Sequence, residues 1–448
     1  MGFKVEKIFI AILGVGTVGK AVIDILQNNQ DIITARAGVS IIPKIAIARN
    51  IDNKNISIPL STDINDALND KDIEIIVELI GGIELPYSIA LQALERNKAF
   101  VTANKAMLAY HRHDLEVRNN GIPIGFEASV CGAIPIIRVL RDGLCANHII
   151  SIRGIMNGTS NYILTQMSQK NESFESALKQ AQELGYAEAN PALDINGSDS
   201  AHKLLILASL AYGINAKIDD IIVEGIEGLT LEDINFARGS EYEIKLLGVA
   251  KKTNNQLELR AHLAMIPKDC MLAKVSGVMN AISVVGDNVG EMLYYGAGAG
   301  GSQTASSVIS DIIEIARNKV LLHNIKNTVP SESTPHSMPM LGYANDTYSI
   351  GHDIELMPRD KISCCYYIRL KVRDKLGVLS NISHVFALHQ ISIKSLIQKN
   401  PKNLDSQYAY LLLSTHICTE AQIQKALSEL SILQDIIESP FMIRIDNL

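Results

Sequence analysis

IFIAILGVGTVGKAVIDIL (residues 8–26) sets six apolar residues against the pattern GxGxxG and then opens an amphipathic stretch. The glycine spacing alone does not separate a phosphate-cradling turn from a glycine-rich bend; the flanking sequence does. From residue 7 to about 130, short apolar runs alternate with helical ones: KIFIAIL, AVIDILQN, KIAIAR, EIIVELI, SIALQALERN and KAFVTA. That alternation predicts a parallel sheet covered by helices. In this setting Gly14 permits the tight turn and Gly16 lets a pyrophosphate approach the backbone. Gly19 allows close packing of the helix that starts with Thr17 and Val18, whose N-terminus faces the anion. Residues 1–135 therefore read as a Rossmann-type dinucleotide-binding domain with a doubly wound parallel sheet. The end of the next strand, KIAIARN, offers Arg49 where an acid would bind a ribose. A guanidinium suits a 2′-phosphate, which favours NADP(H) with NAD(H) possible; the alternative is an ordinary surface arginine.

The rest of the chain's composition narrows the partners. At 448 residues it has room for two or three domains, with 47% hydrophobic and 20% charged residues and a formal charge of −7. No basic block is present, so nucleic acid is not an expected partner. The longest apolar run, LLILASLAYGI (204–214), is too short for a membrane span and reads as a buried helix. The six cysteines (131, 145, 270, 364, 365 and 418) show no CxxC or metal-ligand spacing, which fits reduced thiols and a cytoplasmic location. MGFKVEKIFIAIL has no small-residue cleavage site, and Glu6 stands where a myristoylation signal needs Ser or Thr, so the N-terminus reads as the first strand.

Beyond the first domain the pattern changes. Residues 136–302 carry mixed helices, glycine turns and a second glycine loop, GAGAGG (296–301), and read as an α+β substrate and dimerisation domain. The helix after that loop, 303–320, is expected to return to the first domain. Segment 321–360 is rich in Pro, Ser and Asn and reads as a linker or extended loop. Residues 361–448 run strand, helix, strand, strand, helix, strand, a ferredoxin-like βαββαβ order.

A carbonyl reductase must supply a proton to an oxygen that gains negative charge. SDSAHKLLIL places Asp199 and Lys203 four residues apart, on one helix face, and Glu188 and Asp194 lie just upstream. Carboxylates gathered around a lysine suit a substrate ammonium and orient the donor. The alternative is a solvated helix start with an ion pair worth under about 1 kcal/mol. His202 reads as a bystander. Lys105, just past KAFVTA, sits where doubly wound sheets bind ligands.

In order, GVGTVG, VELIGG (77–82), VTANKAMLA (101–109), FEASVCGAIPI (126–136), NGTSNYILTQM (157–167), LGYAEANPALDINGSDSAHK (184–203) and GAGAGGSQTASSV (296–308) resemble the homoserine dehydrogenase family. The resemblance covers nearly all of residues 7–320. DKLGVLSNISHVFALHQISIKSLIQ (374–398) is similar to an ACT domain, an amino-acid-sensing module. The resemblance implies reversible NAD(P)H-dependent reduction of aspartate 4-semialdehyde to homoserine, on the way to threonine and methionine. It implies Lys203 as proton donor with Asp199 beside it, Glu188 and Asp194 on the substrate, and Lys105 touching both cofactor and substrate. FEASV is similar to a sodium loop, which would make the backbone carbonyls of Glu127, Val130, Gly132 and Ile134 ligands to sodium or potassium. Gly298 is carried over to the loop that closes on the nicotinamide.

Four positions depart from the family pattern: Ala133 for a glycine, Asn190 for an aspartate, Ala297 for arginine or proline, and Gln303 for a proline. They bear on the geometry of the ion loop and closing loop and on the charge near the substrate ammonium. If Lys105 stands near Lys203, it is expected to press the lysine's pKa toward neutrality. The ACT-like unit implies feedback by a product, threonine first, at Asp374, Gly377, Val378 and Asn381. It also implies a homodimer or homotetramer. The rival readings are an ACT-bearing 2-hydroxy acid dehydrogenase, whose histidine, carboxylate and arginine set is not found, and a nucleotide-dependent sensor without catalysis. A fused aspartate kinase is not expected, since no segment of that size precedes residue 7.

Overall fold

The computed structural model describes residues 6–50, 56–326, 339–343, 353–399 and 407–446. The first sheet is built from β1 (Lys7–Leu13), β2 (Ser40–Ile47), β3 (Leu60–Ser61), β4 (Ile73–Glu78), β5 (Ala99–Thr102) and β6 (Ile124–Gly125). Its order is β3-β2-β1-β4-β5-β6, and every pairing is parallel. The order reverses between β1 and β4, which opens a crevice at the carboxyl ends of those two strands. β5 is buried along its whole length, and β4 at every residue but Glu74. Such near-continuous apolar burial is what a two-sided parallel sheet requires.

Helix Thr17–Asn28 buries Val22, Ile23 and Leu26 against this sheet. The returning helix starts two residues earlier than expected and runs Gly301–Lys326. Its Val308, Ile309, Ile312 and Ala316 join Ile10 and Ile12 of β1 in one core, so a helix that follows the second glycine loop completes the packing of the first sheet.

Among the described residues the second sheet has twelve strands. β7 (Ile149–Ile155), β8 (Ile222–Val223), β9 (Tyr242–Thr253), β10 (Gln256–Pro267), β11 (Met279–Gly286) and β12 (Gly290–Ala297) form its first part. β13 (Glu355–Leu356), β14 (Ser363–Arg373), β15 (Ile393–Lys399), β16 (Tyr408–Thr415), β17 (Cys418–Thr419) and β18 (Phe441–Ile445) complete it. The main path is β12-β11-β7-β9-β10-β18-β14-β16-β15. Helix Ser198–Tyr212, which holds the run LLILASLAYGI up to Tyr212 and is closed by Gly213, lies almost wholly buried against it. Among the described residues no helix is long and apolar enough to cross a membrane.

The C-terminal strands follow the order β18-β14-β16-β15 with helices Val378–Leu388 and Glu420–Ser431 on one face, the ferredoxin-like arrangement read from the sequence. The unit is not separate from the rest. β18 pairs in parallel with β10 through Ala264↔Arg444 and Met265↔Ile445, merging two sheets into one. Of the segment read as a linker, the helix continues to Lys326, Met340 and Leu341 are buried in one core cluster with helix Ser198–Tyr212, and Glu355–Leu356 pairs with β10. The intervening stretches lie outside the described residues.

Candidate active site

The glycine turn has a distinct reason at each position. Gly14 has φ +98°, and a Cβ there would lie 2.4 Å from the carbonyl oxygen of Leu79, at the end of β4. A Cβ on Gly19 would come within 2.0 Å of the Gly14 carbonyl oxygen. Gly16, in contrast, faces open space and caps helix Thr17–Asn28 without a side-chain hydrogen bond. The first and third glycines are thus demanded by the protein's own packing, and the second leaves room for a ligand on uncapped helix amides. This is the fit that a dinucleotide pyrophosphate needs. Beside it, buried Glu78 accepts from Thr102 Oγ1 (2.7 Å) and from the Ile80 amide (2.7 Å), which fixes the VELIGG loop.

Between this turn and the second sheet lies a cavity of about 570 Å³. Its lining includes Val18, Lys105, Gly132 and Gly298 together with Glu188, Asp194, Asp199 and Lys203. Thr17 stands at its edge, touching the position where a Cβ on Gly301 would be. Arg49 is exposed just past β2. Glu188 is exposed at the mouth, and Asn190, one of the departures, caps its own turn by accepting from the Ala192 amide.

The centre of the cavity is an ionic cluster. Lys203 Nζ donates to Asp199 Oδ2 at 2.8 Å and to the Met156 carbonyl at 2.6 Å. Lys105 Nζ lies 2.7 Å from Asp199 Oδ1. Lys203 and Asp199 are buried, at 7% and 4% exposure, so these charges are poorly screened. Burial pushes the Lys203 ammonium pKa down, but the contact with Asp199 more than reverses this and holds it above the ordinary lysine value. Asp199 is opposed by burial too, yet the two lysines hold it well below the usual carboxylate range. The expected pressure of Lys105 toward neutrality is therefore corrected: Lys105 binds the far oxygen of Asp199, and the shared carboxylate dominates. Asp194, mainly through burial, is shifted upward.

Two asparagines that the sequence reading left without a role complete the cluster. Asn157 Nδ2 donates to Asp194 Oδ1 (2.8 Å) and Asp199 Oδ2 (2.9 Å), while its Oδ1 accepts from the Ser160 amide as the N-cap of helix Gly158–Lys170. An asparagine preceding GTS and an apolar run is a readable N-cap signal, though its second use is not. Asn280, in β11, donates to the Met156 carbonyl at 2.9 Å.

In a loop that also lines the cavity, Cys131 and Gly132 both adopt positive φ, +52° and +40°. The Gly132 carbonyl accepts from Ser307 Oγ (2.6 Å) and the Ile134 carbonyl from the Ile136 amide (2.8 Å). Each keeps a second lone pair for a cation. Glu127 turns its carboxylate away, accepting from the Ile137 and Arg138 amides at 2.9 and 3.1 Å. Among the described residues no group of three His, Cys, Asp or Glu side chains can hold a metal, so a cation here depends on backbone oxygens.

Far from the cavity, the turn after β14 carries the four residues read as an effector edge. Gly377 has φ +87°, faces open space and caps helix Val378–Leu388. Asp374 accepts from Gln398 of β15 at 3.3 Å, and Asn381 follows on the exposed side of the helix's first turn.

Comparison with known proteins matches nearly the whole chain. A family model described as homoserine dehydrogenase matches residues 135–313, and one described as homoserine dehydrogenase, NAD binding domain, matches residues 14–120. A homoserine dehydrogenase of Helicobacter pylori is 52% identical over 99% of this chain and 100% of its own. The crystal structure of a homoserine dehydrogenase from Thiobacillus denitrificans superposes with a TM-score of 0.89 at 38% identity, covering 99% of each chain. A hyperthermophilic archaeal homoserine dehydrogenase in complex with NADPH superposes at 0.58 and 26% identity, over 69% of this chain and 97% of its own.

Proposed function

The chain belongs to the homoserine dehydrogenase family, and from that premise we propose how its residues carry out the reversible, nicotinamide-dependent reduction of aspartate 4-semialdehyde to homoserine. A nicotinamide dinucleotide held over the Gly14–Gly19 turn would supply the hydride. Lys203 supplies the proton. An ammonium has three N–H bonds, and among the described residues two are held, by Asp199 and Met156; the third is left for the carbonyl oxygen of a substrate in the cavity that Lys203 lines. This unspent donor is the observation that carries the assignment. With its pKa held above the ordinary lysine value, Lys203 is protonated at neutral pH and poised as the acid in reduction. In the oxidation of homoserine it must first lose that proton.

Glu188 and Asp194 hold the substrate ammonium, and Lys105 contacts both substrate and cofactor. Arg49 selects NADP(H) over NAD(H) through the 2′-phosphate; its exposure past β2 supports this. Sodium or potassium is held by the carbonyls of Glu127, Val130, Gly132 and Ile134. The terminal unit binds threonine at Asp374, Gly377, Val378 and Asn381, and its edge strand β15 joins a second copy in a homodimer or homotetramer. The order of its strands, β18-β14-β16-β15, supports the ACT reading.

Purified Lys203→Ala is expected to lose at least ~10³-fold in kcat for homoserine oxidation while binding NADPH normally, as measured by fluorescence titration. Near-normal turnover removes Lys203 from the role.

A further inference from the structure

We propose that Asn280 is a positioning residue for Lys203: it holds the Met156 carbonyl, and through that carbonyl aims the third N–H of the ammonium at the substrate oxygen. The inference rests on the reading of Lys203 as proton donor and deepens it.

Asn280 is the one strongly polar side chain near the start of β11, MNAISVVG, and it is completely buried. Its Nδ2 donates to the Met156 carbonyl at 2.9 Å and to Cys131 Sγ at 3.3 Å. Its Oδ1 is buried and has no hydrogen-bond partner among the described residues. The orientation of the amide is settled by chemistry, because a backbone carbonyl can only accept; turning the amide over would set oxygen against oxygen. A buried amide with an idle acceptor is unfavourable, and an apolar residue of similar size satisfies the packing better unless the donor is needed. The donor has one evident task. Met156 O has two lone pairs, one taken by Lys203 and the other by Asn280.

That task bears on the reaction. The N–H bonds of an ammonium are tetrahedral, so fixing two of them fixes the third. Asp199 is itself held, by Asn157 and Lys105. The Met156 peptide is held on its oxygen side by Asn280. Without that hold, the second anchor of the ammonium can swing and the third N–H loses its aim.

The same amide explains a glycine assigned from the family resemblance to cofactor contact. A Cβ at position 298 would lie 2.3 Å from the Asn280 amide atoms. Gly298 therefore lacks a side chain because Asn280 lies beneath it, whatever else it touches. One buried amide thus meets the Lys203 acceptor, the 130–134 loop through Cys131, and the second glycine loop.

The test compares Asn280→Leu, which keeps the bulk, and Asn280→Asp, which keeps the shape but loses the N–H, with Lys203→Ala. Both Asn280 variants are expected to lose roughly 10- to 100-fold in kcat for homoserine oxidation, expressed per folded molecule from thermal unfolding of the same samples. NADPH dissociation constants should stay within about twofold, because uniform binding is untouched. The solvent deuterium isotope effect on kcat should rise above that of the unaltered enzyme, as proton transfer becomes slower. A kcat within about threefold, or a larger loss with the isotope effect unchanged, overturns the assignment. If Lys203→Ala turns over normally, the reading of Lys203 fails instead, and the two failures are told apart.

Discussion

Two buried ion clusters in this molecule look alike in a list of charges and differ in what they leave over. At the first, Lys203 spends two of its three N–H bonds on Asp199 and Met156 and faces a cavity. At the second, Arg444 of β18 is 1% exposed and spends its guanidinium on two carboxylates. Its Nη1 and Nη2 meet Glu224 at 2.6 and 2.9 Å, and its Nη2 and Nε meet Glu420 at 2.6 and 3.1 Å. Four of its five N–H bonds are taken in this way, and at 1% exposure the fifth has no open approach for a ligand. Burial of charge is common to both; only a free donor that opens on a cavity has the makings of chemistry, and the enclosed, carboxylate-clasped arginine has those of a joint. It sits where β18 meets β10, binding the terminal unit to the catalytic sheet.

The sharpest way to break this contrast is to neutralise Asp199. Asp199→Asn removes the counter-ion shared by Lys203 and Lys105, and kcat is expected to fall ~10²- to 10³-fold. The same change reverses a sign. Lys203 stands above its ordinary value chiefly because Asp199 opposes burial; with the carboxylate gone, its pKa is expected to fall. Oxidation of homoserine needs the neutral amine, so the rise of kcat with pH should move to lower pH in the variant. A profile that stays in place would contradict the pairing.

Arg444 predicts the opposite division of effects. Arg444→Ala leaves Glu420 buried without its cation and should cost about 3–5 kcal/mol in stability, read from denaturant midpoints, while kcat per folded molecule changes little. Arg444→Met should cost less, since it restores volume. The acid limb sharpens the point. Burial raises the Glu420 pKa, but Arg444 more than offsets this, so its folded-state value lies below the ordinary one. That pairing contributes stability above the unfolded pKa and loses it as pH falls through the folded value. Without Arg444 the carboxyl protonates earlier, and acid unfolding should begin at higher pH.

The two clusters were unequally legible. Lys203 and Asp199 were readable because four-residue spacing on a helix puts side chains on one face. The first sheet was readable because its strands are short apolar runs separated by helices, and because the glycine turn has a local cause at each position. Arg444 was invisible: its partners Glu224 and Glu420 are 220 and 24 residues away, and β10 meets β18 through two residue pairs only. Met156 was invisible for another reason, since it acts through a backbone carbonyl that any residue supplies. Asn280 carried a signal that was there to be read, a lone asparagine in an apolar strand, but its partner could not be. The shift at Lys203 was misjudged because the sequence placed Lys105 nearby without saying which oxygen of Asp199 it takes.

A smaller effect is expected at the coenzyme. Arg49→Ala should raise the KM for NADP⁺ by about tenfold and leave that for NAD⁺ within about twofold, the amount a single exposed charge-assisted contact to a phosphate supplies. Equal changes for both coenzymes would return Arg49 to an ordinary surface residue.

The smallest basal effect belongs to the terminal unit, where the contrast with Lys203 is one of distance. Gly377 stands at φ +87° with no atom near its missing Cβ, so a side chain there meets strain from the backbone and none from crowding. Gly377→Ala is therefore expected to lower stability by about 1 kcal/mol, with uninhibited kcat unchanged. The same methyl group projects into the space where a small amino acid would approach the turn. If threonine binds at this edge, the concentration that halves activity should rise severalfold in Gly377→Ala, and the inhibited rate at saturation should be unaltered. An unmodified enzyme whose rate ignores threonine throughout would leave the unit a joint alone, held by Arg444 and without a ligand to transmit.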